Sequence, residues 1–270
     1  PDGREMFNID HNVTTYSGFA SYNAIVSGCG IGNLYGTGEC QLVAVMRDVN
    51  SDISRRNNAV SCYSFKDENH DDNPDLLWEI KTGGVCFHRE PIIANLDNSP
   101  DGSQEIVLIS DGNSSEGKIM ILDNRGNTLH VLEKGIISYS ALAVADLDGD
   151  GDLEIVVGRS ELWGNLPACI NIYHHDGTPY GPHPFYTGEN DEFKTPVIAD
   201  LDGDGNKEII ISATKKGNDE VHYIYVIGTD GTLMPGWGTQ KIVNENNDLG
   251  LEISVGDLNN DGKLEIVALG

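Results

Sequence analysis

The chain has 270 residues, enough for two ordinary domains or for one large all-β domain. Its 17 Lys and Arg against 43 Asp and Glu give a formal charge of −26. Such acidity argues against nucleic acid, because phosphate binding draws on a Lys/Arg surface and on counterion release. It also argues against anionic membranes, and it suits a protein that binds cations or stays soluble through its charged surface. No apolar run approaches the roughly 20 residues that span a bilayer, so membrane insertion is not expected. Pro1 opens the chain without an initiator Met or a leader, as in a mature product or a segment of something longer.

In chain order, Glu5-Met-Phe-Asn-Ile-Asp10 and Thr14-Thr-Tyr-Ser-Gly-Phe19 read as two strands around a turn at His11-Asn12. Ser27-Gly-Cys-Gly-Ile-Gly32 then alternates small and large residues before an unusual segment, Gly32-Asn-Leu-Tyr-Gly-Thr-Gly-Glu-Cys-Gln-Leu-Val43. This segment is the first and most decayed copy of a repeat. Four better copies follow at residues 94–107, 145–156, 199–210 and 256–267; the third and fourth read Asp-Leu-Asp-Gly-Asp-Gly-x-x-Glu-Ile. Their first loop residues are Asn33, Asn95, Asp146, Asp200 and Asp257, at intervals of 62, 51, 54 and 57. Such a period is too long for a helical-pair solenoid and suits a four-stranded propeller blade.

Each copy has strand character on both sides of the loop. A short apolar run such as Pro196-Val-Ile-Ala199 precedes it, and a β-branched run such as Glu208-Ile-Ile-Ile-Ser212 follows. A third strand ends in a tight turn: Lys118–Asp123 before Asn124 to Gly126, Cys169–Tyr173 before Asp176-Gly177, and Tyr223–Ile227 before Asp230-Gly231. A fourth strand is expected next, for example Thr232-Leu-Met234 with Trp237 just beyond. The fold expected is all-β: a single propeller over residues 1–270 with blade cores near 27–83, 90–137, 140–190, 195–240, and 250–270 completed by 1–23. The C-terminal and N-terminal half-blades, 46 positions from Asp257 round to Gly32, would pair and remove exposed sheet edges.

The loops carry the chemistry. Asp-x-Asp-x-Asp-Gly-x-x-Glu places oxygen donors at alternate positions of a sharp turn, and Ca²⁺ takes six to eight oxygens at roughly 2.3–2.6 Å. The third copy offers Asp146, Asp148, Asp150, the carbonyl of Asp152, and Glu154. The fourth offers Asp200, Asp202, Asp204, the carbonyl of Asn206, and Glu208; the last offers Asp257, Asn259, Asp261, the carbonyl of Lys263, and Glu265. The second is two residues longer and offers Asn95, Asp97, Asp101, the carbonyl of Ser103, and Glu105. Tyr35 and Thr37 replace carboxylates in the first, so no ion is expected there. Three Ca²⁺ sites and a fourth in the longer loop are the expectation. An EF-hand is excluded, because its Glu at position 12 is Val157 or Ile211 here and a strand follows each loop.

At these residues the chain resembles the FG-GAP (VCBS-type) repeats of integrin α heads and bacterial secreted proteins. The resemblance implies calcium between the first two strands of a blade, an extracellular or cell-surface setting, and ligand recognition by other loops. Seven blades are commoner in such propellers than five. Some bacterial relatives are polysaccharide lyases or are appended to peptidases, so an enzyme reading stands beside the favoured one.

That favoured reading is a calcium-stiffened adhesion or binding module for a protein or glycan ligand. A lyase would draw its base from His88, Arg89, His174 or His175, although the paired His lie at a hairpin turn where a polar residue is ordinary. A subunit binding copies of itself is the third reading. Trp78, Trp163 and Trp237 suit packing between blades better than sugar stacking. The acidic stretch Asp67 to Asp75 reads as a solvated loop. Of five Cys, Cys62 and Cys169 read as buried small hydrophobes; pairing of Cys29 with Cys40, or Cys62 with Cys86, is open in a secreted protein. Asn12 and Asn113 head glycosylation sequons.

Overall fold

The computed structural model describes residues 24–48, 58–66, 68, 70, 74–83, 86–87, 90–111, 118–134, 142–159, 168–181, 184–188, 191–215, 221–237, 240–242 and 252–269. Among them are twenty strands and no helix. The first sheet runs in the order β1 (Ala24–Gly32), β2 (Gln41–Asp48), β3 (Asn58–Ser64), β4 (Asp75–Gly83), all antiparallel. In the second, β5 (Cys86–Phe87) and β6 (Ile92–Ala94) both pair with β7 (Glu105–Asp111), followed by β8 (Lys118–Leu122) and β9 (Thr128–Lys134). The third comprises β10 (Leu142–Ala145), β11 (Glu154–Arg159), β12 (Ala168–Tyr173) and β13 (Phe185–Gly188). In the fourth, β14 (Asp191–Phe193) and β15 (Val197–Ala199) pair with β16 (Glu208–Lys215), then β17 (Val221–Ile227) and β18 (Gln240–Ile242). The last described pair is β19 (Glu252–Gly256) and β20 (Glu265–Leu269).

Two compact units divide the chain. One holds Pro1–Asn95 with Ser99–Ile136, the other Leu96–Asn98 with Ile137–Gly270. In the first, Val43, Val45, Val60 and Cys62 of one sheet pack against Ile106, Leu108 and Leu122 of the next. Trp78 joins this core and donates its Nε1–H to Asn124 O at 3.0 Å, so its use is packing, as expected.

In the second unit the fourth sheet is covered on both faces. Ile209, Ile211 and Ala213 meet Val156, Ile170 and Ile172 of the third sheet, while Ile210, Ile224 and Val226 meet Ile253, Val255, Ile266 and Ala268. This explains the unbroken β-branched runs, since a strand buried on both faces needs no polar alternation. Phe193, fully buried, fills the space left by Gly158, where an added Cβ would lie 2.8 Å from the Phe193 Cβ.

One sequence expectation needs correction, and two points left open by the sequence are decided. Thr232–Met234 is no strand of the sheet; it is the return arm of the β17 turn, with an Ile227–Leu233 bridge and the Met234 N–H donating to Val226 O at 2.9 Å. The fourth strand is β18, further on. The first strand of the second and fourth sheets is split, because Pro91 and Pro196 fall in the gaps and cannot donate to the ladder. Cys29, Cys40, Cys62 and Cys169 are all free thiols, so neither disulfide considered from the sequence forms. Cys62 and Cys169 are buried as expected, and burial pushes the Cys62 thiol up to about 12. The proposed closing strands of residues 1–23, both sequons, Trp163, His88 and Arg89 lie outside the described residues.

Close sheet contact makes Gly158→Ala an overpacking change. It is expected to cost about 1–3 kcal/mol, read as a lower urea midpoint at unchanged m-value.

Candidate metal centres

Each repeat loop joins the first strand of its sheet to the second: β1 to β2, β6 to β7, β10 to β11, β15 to β16 and β19 to β20. Counting from the first loop residue, positions 4 and 6 are left-handed in every described copy but one insertion. The third loop has Gly149 at φ +81° and Gly151 at +97°, the fourth Gly203 at +78° and Gly205 at +94°, the fifth Asn260 at +62° and Gly262 at +85°. Two such residues in alternation turn the side chains at positions 1, 3 and 5 the same way. Position 4 thus matches the Gly at position 6 as a hinge of the turn.

Carboxylate oxygens then cap the turn. The first residue accepts from amides ahead of it: Asp146 from Gly149 N at 2.6 Å, Asp200 from Gly203 N at 2.7 Å and Gly205 N at 3.0 Å, and Asp257 from Asp261 N at 3.1 Å and Gly262 N at 2.9 Å. Position 5 accepts from position 7: Asp150 from Asp152 N, Asp204 from Asn206 N and Asp261 from Lys263 N, at 2.8–2.9 Å. Position 9 reaches back to position 2. The Leu147, Leu201 and Leu258 amides each donate to Glu154, Glu208 and Glu265 Oε2 at 2.8 Å. In the first loop Gln41 Oε1 takes the Leu34 amide in the same way at 2.9 Å. This use of position 9 was not foreseen, although the repeat alignment places Gln41 under the glutamates.

The loops differ in how their acids converge. In the third, Asp146, Asp148 and Asp150 bring oxygens within 4.8 Å of one another, and Asp148 and Glu154 form a second such group with His174. In the fourth, Asp200, Asp202 and Glu208 converge, while Asp204 is taken by the Asn206 main and side chains. In the fifth, the Asn259 amide nitrogen lies 3.1 Å from both Asp261 Oδ2 and Glu265 Oε1, bridging the two acids.

In the second loop, Ser99 binds Asn95 and Asp101, and Asp101 Oδ1 also accepts from Ser103 N at 2.9 Å. Glu105 begins β7, and Asp97 belongs with Leu96 and Asn98 to the other compact unit. In the first loop Tyr35 packs on the core, and Lys66 Nζ sits 2.6 Å from Glu39.

Burial sets the electrostatics. Glu154 is wholly buried and Glu208 nearly so, and desolvation pushes both carboxyls above the ordinary value of 4.5. The charge of Asp148 adds to the rise in Glu154, opposed by the Leu147 amide and by His174; around Glu208 the charges of Asp202, Asp204 and Asp200 add. A hard divalent cation fits these donor sets. It would meet alternate carboxylate oxygens already turned inward and would offset the cost of burying an ionised glutamate.

Two segments match a known sequence family. Residues 97–157 and 200–268 match the FG-GAP-like repeat family. They contain the third, fourth and fifth acidic loops whole. Comparison with curated protein sequences gives no match. Among solved structures, the exotype rhamnogalacturonan lyase YesX aligns with 92% of this chain and 45% of its own, at 16% identity and a TM-score of 0.57. The rhamnogalacturonan lyase PL11 of Bacillus licheniformis aligns with 92% of this chain and 56% of its own, at 12% identity and a TM-score of 0.51. This chain therefore shares a β-propeller-like fold with these proteins and spans about half their length.

Glu154→Gln keeps the acceptor for the Leu147 amide and removes the buried charge, as Gln41 does naturally. In chelator at neutral pH it is expected to melt no lower than wild type, whereas Glu154→Ala loses about 1–3 kcal/mol. The folded chain binds protons on Glu154 and Glu208 more readily than the unfolded chain. In calcium-free buffer these two groups therefore favour folding as pH falls through their raised values toward 4.5, a trend that thermal melts of wild type and Glu154→Gln compare directly.

Proposed function

We propose that the chain is an extracellular β-propeller module whose acidic loops hold structural Ca²⁺ and whose role is to bind a glycan or protein ligand. The observation that carries this reading is the convergence of three carboxylates in each of the third and fourth loops. Such groups repel one another unless a cation joins them. Calcium would lock the turn between the first two strands and offset part of the −26 charge. At free calcium ten times a site's Kd, each site adds roughly 1.4 kcal/mol of stability. Melts in millimolar calcium are expected to exceed those in EDTA, and to do so less for Asp202→Asn; equal melting temperatures would overturn the calcium reading.

A glycan is the ligand this surface suits. Trp237, expected to pack between blades, is 36% exposed. It borders a groove of about 310 Å³ with Leu201, Met234, Leu264 and Ile266 along it and Asp202 and Glu265 at hand. An indole face beside carboxylates offers stacking to a sugar ring and acceptors to its hydroxyls. Binding to a polysaccharide panel is expected to fall at least about tenfold in Trp237→Ala, equivalent to 1.4 kcal/mol; unchanged binding would move the ligand elsewhere.

Fold likeness to two rhamnogalacturonan lyases over 92% of the chain supports a second reading, a calcium-assisted polysaccharide lyase. His174 turns its Nδ1 to Glu154 at 3.2 Å, so Nε2 is the nitrogen that would act as a base in that reading. An ultraviolet assay for unsaturated products on acidic polysaccharides separates the two readings.

A further inference from the structure

The third and fourth loops are near copies, yet they do not offer the same donors. Ile155 pairs with Tyr173 and Ile209 with Ile227, so the residues that follow, His174 and Gly228, occupy equivalent places in the two sheets. His174 directs Nδ1 to 3.2 Å from Glu154 Oε1, and Asp148, Glu154 and His174 place ligand atoms within 4.8 Å of one another. Its ring is held from the other side by Tyr180, with centroids 5.1 Å apart and planes tilted by 58°. The glutamate carboxylate is fully buried, and its other oxygen is already fixed by the Leu147 amide. Among the described residues the corresponding group of the fourth loop is Asp200, Asp202 and Glu208, without an imidazole.

We infer that Asp148, Glu154 and His174 form a mixed nitrogen–oxygen site for a borderline divalent transition metal such as Zn²⁺ or Co²⁺. Ca²⁺ takes oxygen donors almost exclusively, whereas imidazole beside carboxylates suits Zn²⁺ and its neighbours. Ligand bonds of about 2.0–2.2 Å bring donor atoms to roughly 3.3 Å apart in a tetrahedron; His174 Nδ1 and Glu154 Oε1 already stand 3.2 Å apart, and Asp148 would draw in from within 4.8 Å. Three protein donors leave a fourth position for water. The neutral imidazole must carry its proton on Nε2 and present the Nδ1 lone pair, which the metal would take in place of the Glu154 contact. The inference rests on the reading of the acidic loops as cation sites, and assigns one of them a different ion.

The test is a Co²⁺ titration of the full calcium-free chain, followed by visible absorption and then challenged with excess calcium. Wild type is expected to bind one Co²⁺ per chain with a visible band that survives millimolar calcium and is displaced by one Zn²⁺. His174→Gly, which copies the fourth loop, is expected to weaken that binding at least about tenfold. His70→Gln, at an exposed histidine, is expected to leave it unchanged. Circular dichroism and the calcium-dependent melt confirm that His174→Gly is folded, and His174→Asn repeats the comparison. Co²⁺ binding that is absent from wild type, or as tight in the His174 variants as in wild type, overturns the inference. If Co²⁺ binds through His174 while calcium fails to stabilise the protein, the calcium reading falls and this one stands.

Discussion

A side-chain oxygen at the head of four of the five second strands accepts the main-chain amide seven residues earlier, and the geometry of those loops depends on that contact. Gln41, Glu154, Glu208 and Glu265 all make it, at 2.8–2.9 Å. The bond closes the loop across its base and brings position 9 into the concave side of the turn. Where it is a glutamate, a buried negative charge comes with it; where it is Gln41, the same closure is reached without charge. The acid at position 9 therefore serves two ends that the first repeat separates. Closure persists there after the carboxylates at positions 3 and 5 have become Tyr35 and Thr37.

Successive loops are also tied to one another within each compact unit. The Gln104 amide, at position 8, donates to Leu34 O at 3.1 Å, and the Leu153 amide donates to Leu96 O at 2.8 Å. In the fourth loop the tie is made by a side chain instead, with the Lys207 ammonium donating to Asp146 O. Small residues let the neighbouring backbones come this close. Gly36 lies against the Asp101 carbonyl, where an added Cβ would clash, and Gly151 against the Asn98 side chain, with a Cβ 2.8 Å from Nδ2. Within the second unit the third loop is thus tied to Leu96 through the main chain and to the fourth loop through Lys207.

Charge and burial pull in opposite directions in these loops. Asp146, Asp148 and Asp150 keep an exposed or half-exposed position, so water shares the cost of their repulsion. Glu154 and Glu208 have no such relief, and their raised proton affinities record it. The fifth loop solves the same problem internally, with the Asn259 amide bridging Asp261 and Glu265. These three solutions, an imidazole beside one acid, an unneutralised trio and an amide bridge, distinguish loops that look alike in sequence.

Loop positions, repeat period and the strands on either side were legible in the amino-acid sequence, because each depends on neighbours within about ten residues. Gly149, Gly151 and their counterparts dictate the turn, and runs such as Glu208–Ser212 can only be buried strand. The position of the fourth strand was not legible: Thr232–Met234 has the composition of a strand, but its amides are used in the return of the preceding turn, and β18 pairs further along. The partnership of His174 with Glu154 was equally hidden, since it follows from the register of β11 with β12 across twenty residues. Local backbone chemistry determined which side chains face into each loop; only the pairing of distant strands decided which outside group meets them there.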